Sequence, residues 1–115
     1  MNSTQLQLAK LERDVKSYKS QIDLGRALDN LRLNRDFKKL ITEGFLKDEA
    51  VRLVLSKADP ALQTPEAQAG IDRDINAIAV LNQFFTIVSQ KAAIANKQLN
   101  DADEMRTELL AEEGQ

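Results

Sequence analysis

After Pro65, residues 66–113 contain no further proline and one glycine, Gly70, near their start. Along this stretch Ile71, Ile78, Leu81, Phe85, Val88, Ala92, Ala95, Leu99, Ala102 and Leu109 recur at alternating steps of three and four, interrupted only at Asp74 and Arg106. That spacing places one apolar stripe along a helix and is the pattern of a helix lying against other helices. At 1.5 Å per residue a helix over 65–113 spans roughly 70 Å. A compact chain of this length has a radius of gyration of only about 13 Å, so the helix either breaks or protrudes. Residues 96–103 (NKQLNDAD), rich in weak helix formers, are the expected place for a break, and 96–115 the segment expected to protrude or fray.

The first helix is expected over about 3–33, with Ser3 as its N-cap. Leu8, Leu11, Val15, Tyr18 and Ile22 give two clean heptads. The stripe then shifts to Leu24, Leu28 and Leu31, with Gly25 at the change, which either moves the buried face around the helix or marks a kink or break there. A middle helix over about 35–57 starts with Asn34 as N-cap and Asp36 in its first turn. Its apolar face comprises Phe37, Leu40, Ile41, Phe45, Val51, Leu53, Val54 and Leu55, and Gly44 is placed to split it. Residues 56–64 hold Pro60 and form the main loop, since Asp59 before proline disfavours helix. Thr64-Pro65-Glu66 then reads as an N-cap, a first-position proline and a first-turn acid. The expected fold is all-α: a long antiparallel helical hairpin or coiled coil of helices 3–33 and 65–113, with the middle helix packed on it, in one domain over 1–115.

Two features bear on what covers these helices. Residues 1–57 carry a net charge of +4 and residues 58–115 a net charge of −6. Lys10, Arg13, Lys16 and Lys19 on the first helix are expected to face Asp101, Asp103, Glu104, Glu108, Glu112 and Glu113 across the hairpin, selecting its orientation. In the middle of the last helix, Ile71, Ile75, Ile78, Val80, Leu81, Phe84, Phe85, Ile87, Val88 and Ile94 cover well over half the circumference. A helix apolar on so many sides needs cover from more than one direction. Either a three-helix core tolerates a wide stripe, or another copy of the chain supplies the rest; the breadth of the face favours the second. The expected interaction residues are therefore Ile71, Ile75, Ile78, Leu81, Phe84, Phe85, Ile87 and Val88 on the last helix, and Leu8, Leu11, Val15, Tyr18 and Ile22 on the first.

Composition narrows the chemistry. The chain has no histidine and no cysteine, which removes the commonest general base, thiolate ligands and disulfides. Asp72 with Asp74, Asp48 with Glu49, and Asp101 with Asp103 and Glu104 sit in polar stretches and read as solvated faces, not carboxylates with raised pKa values. The 100–104 segment lacks the central glycine and distal glutamate of a calcium loop, and phosphate-cradling glycine motifs are absent. No enzyme, no catalytic or metal residue and no cofactor is expected. The basic row of the first helix, extended by Arg26, Arg32, Arg35, Lys38 and Lys39, is interleaved with acids, which argues against nucleic acid as a partner. The polar N-terminus lacks the pattern of a secretory signal, and no uninterrupted run approaches the roughly 18 apolar residues of a membrane span, so neither a membrane nor a small-molecule substrate is expected.

Residues 28–41 (LDNLRLNRDFKKLI), 43–53 (EGFLKDEAVRL), Ala58-Asp59-Pro60 and Gln83-Phe84-Phe85-Thr86 resemble small all-helical proteins of tailed bacteriophages, encoded among virion structure and assembly genes. The resemblance spans about residues 25–95, rests on packing and turn residues, and carries over no site residue. It implies a structural or assembly role, in the virion or the host cytoplasm, with further copies of the chain and other virion proteins as partners. Two other readings are a small acidic phage protein that binds and inhibits a host factor, and a small helical protein that binds or packages DNA.

Overall fold

The computed structural model describes residues 2–114 and shows an all-α chain. Helix α1 covers Ser3–Leu33, α2 Arg35–Phe37, a π-helical segment Lys38–Glu49, α3 Ala50–Ser56, a 3-10 turn Pro60–Leu62, and α4 Pro65–Glu113. The residues group into two compact units. One joins the residues up to Ala27 to those from Val88 onward, and the other is Leu28–Ile87.

The helix ends follow local chemistry. Asn2, not Ser3, caps α1: its Oδ1 accepts from the Gln5 backbone N–H at 2.8 Å, while Gln5 Oε1 accepts from the Asn2 N–H at 3.1 Å. This reciprocal capping box satisfies two N–H groups where a lone Ser3 would satisfy one. Asn34 accepts from the Phe37 N–H at 2.9 Å, and Thr64 accepts from the Ala67 N–H at 3.1 Å, as expected of N-caps. In the loop, Asp59 accepts from the Ala61 N–H. Gln63 and Gln68 both donate to the Lys57 carbonyl, at 2.9 and 3.1 Å, closing the turn onto the first turn of α4.

In the first unit, α1 and α4 run antiparallel. Gly25 sits against Ala92, while Gln7–Tyr18 share a groove with Gln98–Glu112. Leu8, Leu11, Val15, Tyr18 and Ile22 are half-buried on the inward face of α1, and the seam then passes through Gly25, which is fully buried. Gly25 does not break the helix, and of the shifted stripe only Leu28 becomes buried. Leu24 and Leu31 stay exposed, and α1 continues as helix to Leu33. A methyl group on Gly25 would overlap the Ala92 Cβ, so glycine at this position permits a close crossing. On α4, Ala95, Ala102 and Leu109 are buried along the same seam. The helix expected over 65–113 does not break at 96–103: α4 is continuous from Pro65 to Glu113. Burial of Ala95 and Ala102, with Leu99 half-buried between them, holds that stretch helical despite its weak propensities.

The second unit centres on Leu53, Ile71 and Ile78, with Phe45, Leu46, Ala50, Leu62 and Ile75 packed around them. Gly44 does not split the middle helical run. The run instead widens into the π-helical segment, in which a Cβ on Gly44 would lie 2.7 Å from the Lys39 carbonyl oxygen. π-turns usually appear as single-turn bulges, so this segment of 12 residues is long for its type. Lys57 forms an ion pair with Asp72, tying the end of α3 to α4.

Glu49 accepts from Arg52 Nε at 3.0 Å and also from Arg52 Nη2. These hydrogen bonds hold the Glu49 carboxyl below its ordinary value and raise the Arg52 guanidinium. Because the folded value of Glu49 is the lower one, its small stabilising effect is present at neutral pH and fades as the pH falls through that folded value. Arg52→Ala is expected to move the Glu49 carboxyl titration upward, read from its side-chain carbon by NMR. An unmoved titration contradicts the pairing.

Candidate functional site

The charge pairing expected across the hairpin does not form. Lys10, Arg13, Lys16 and Lys19 are all exposed, and among the described residues no ion pair joins them to the acidic end of α4. Three residues turn a helix by about 300°, so each step in such a row falls about 60° short of a full turn. The four cations therefore wind across the outer face of α1 and do not follow its seam. Asp101, Asp103, Glu104, Glu108, Glu112 and Glu113 are likewise exposed.

The thirteen candidate interaction residues divide into two groups. Ile71 and Ile78 are buried in the second unit's core with Ile75 packed against it, and Leu81 and Phe85 are half-buried. Phe85 is held by Phe37, edge-on at 6.0 Å between ring centroids, and by the Arg32 guanidinium 5.9 Å above its ring. Val88, Leu8, Leu11, Val15, Tyr18 and Ile22 are half-buried in the first unit. These eleven residues serve the chain's own packing to different degrees.

Phe84 and Ile87 differ. They remain 57% and 46% exposed, and Val80, one turn before Phe84, is 64% exposed. Val80, Phe84 and Ile87 step four and three along α4, one residue before Leu81, Phe85 and Val88. The helix therefore carries two adjacent apolar rows about 100° apart. The inner row is half-buried and the outer one lies open. The sequence showed the breadth of this face but could not say which row the chain would cover.

The outer row also raises the hydropathy of α4. An 18-residue window of α4 has a mean hydropathy of 1.3 with 6% of it buried, which makes α4 long and apolar enough to cross a membrane by length and composition. The apolar run is still interrupted, at Asn82 and Gln83, while the two rows raise the average.

A second feature was not anticipated. In the first unit a groove of about 620 Å³ opens between α1 and the C-terminal part of α4. Its floor and walls are Leu11, Tyr18, Ala102, Met105 and Leu109. Its rim carries Asp14, Asp101, Glu108 and Glu112, with Lys10 the one cation. At its floor the seam residue Ala102 is short, which leaves room between the two helices. The small residue at seam position 102 was the available signal for this opening. Among the described residues, no group of three or more acidic side chains is placed to hold a metal ion.

Comparison of this chain with protein-family models, curated proteins and solved structures returns no match.

Proposed function

We propose that this chain is a non-enzymatic structural or assembly protein that works as an oligomer through helix–helix contacts, in the setting of a tailed-bacteriophage particle. The observation that carries the reading is the open row Val80, Phe84 and Ile87 beside a half-buried one. Three large apolar side chains on one rigid helix form a ready-made face for another helix, and burial returns roughly 25 cal/mol per Å² removed from water. The phage setting is supported by the likeness of residues 28–41 and 43–53 to small phage helical proteins. Other virion proteins are the further partners this reading implies, and no cofactor, substrate or nucleic acid enters it.

Val80→Glu with Phe84→Glu is the variant that tests it. Both positions are exposed, so the fold changes little, by about 0.5 kcal/mol or less per site. The double variant is expected to keep its helical circular dichroism and sediment as a monomer. An unchanged oligomer in the variant removes this face from the account. Mass spectrometry of purified virions tests the setting: peptides of this chain in the particle support it, and their absence from particles made while the chain is expressed contradicts it.

A further inference from the structure

We infer that the groove between α1 and the C-terminal part of α4 is a docking site for an amphipathic helix with basic flanks, supplied by a partner protein. This rests on the first unit alone and is independent of the assembly reading. The groove has an apolar bed, with Ala102 and Leu109 buried at its floor and Met105 53% exposed at its wall. An unbranched, polarisable methionine adapts its shape to whatever helix lies against it. Two antiparallel helices with an apolar furrow between them offer ridges and grooves to a third, and the incoming helix would read as apolar anchors at one-turn spacing.

Charge names the occupant. Four carboxylates, those of Asp14, Asp101, Glu108 and Glu112, line the furrow against the single ammonium of Lys10. None of them is in an ion pair within the chain among the described residues. A helix with Lys or Arg beside its apolar seam meets an opposite charge on both α1 and α4. An acidic helix meets repulsion from the three carboxylates of α4, so charge also sets specificity.

The probe is a synthetic peptide of about four helical turns with leucine at heptad seam positions and lysine elsewhere, titrated into the full chain by fluorescence anisotropy. A peptide of the same composition with the leucines scattered serves as the control for bare charge attraction. The heptad peptide is expected to bind at least about tenfold more tightly than the scattered one. Asp101→Lys with Glu108→Lys, on the rim, is expected to weaken it by about tenfold or more. Asp103→Lys with Glu104→Lys makes the same charge change off the groove and is expected to weaken it far less. Met105→Asp should also weaken binding, with helicity by circular dichroism unchanged. Equal binding of the two peptides, or equal loss from rim and off-groove variants, overturns the proposal. So does a finding that copies of this chain fill the groove themselves, seen as self-association lost in the rim variant yet retained in the Val80 and Phe84 double variant.

Discussion

Gly25→Ala is expected to destabilise the chain by about 1–3 kcal/mol in chemical denaturation, although alanine is the better helix former. In an open helix the exchange would stabilise by roughly 0.5–1 kcal/mol, because glycine loses more backbone freedom on folding. Here the added methyl group overlaps the Ala92 Cβ, and both sit on rigid helices, so relief requires α1 and α4 to separate locally. Separation loosens the packing along the seam, where Ala95 is 0% exposed. The sign of the effect therefore decides between a flexible joint and a tight crossing. The reciprocal exchange gives a stricter check. Gly25→Ala combined with Ala92→Gly restores room at the same point and is expected to recover a large part of the loss, a coupling that two independent sites would not show. Stabilisation by Gly25→Ala alone contradicts the close approach.

Leu53→Ala is expected to cost about 2–5 kcal/mol, a large fraction of the roughly 5–15 kcal/mol that holds an ordinary domain together. Leu53 is 3% exposed and is the buried residue of α3 in the core it forms with Ile71 and Ile78, beside the small, partly buried Ala50. Its neighbours Val51, Val54 and Leu55 are more than half exposed, so nothing on α3 can move in to fill the space. Val54→Ala, one residue away, is the internal control and should cost well under 1 kcal/mol. Urea titrations of the two variants measure the difference, and equal losses would mean that Leu53 does not anchor the middle helices to α4.

Much of this fold was legible in the sequence because it is local. The spans 3–33 and 65–113 follow from apolar periodicity, and the loop follows from Pro60 with the caps at Asn34 and Thr64. The misread features depend on distant partners or on side-chain direction. Gly25 looked like a weak point because its reason for being glycine, Ala92, lies 67 positions further along. The basic row on α1 looked like one face until the 60° offset per step was followed around the helix. Gly44 marked an irregularity correctly, but whether a helical run splits or widens at a glycine depends on where the neighbouring carbonyl moves. Of the candidate interaction face, sequence periodicity showed its width, and the fold was needed to separate Leu81 and Phe85, which the chain partly covers, from Val80, Phe84 and Ile87, which it leaves open.

That open row is the point at which the functional account stands or fails, and sedimentation equilibrium of the intact protein at tens of micromolar addresses it most directly. The account predicts a defined oligomer that becomes a folded monomer when Val80 and Phe84 are both replaced by glutamate. A wild-type chain that sediments as a monomer across that range contradicts it.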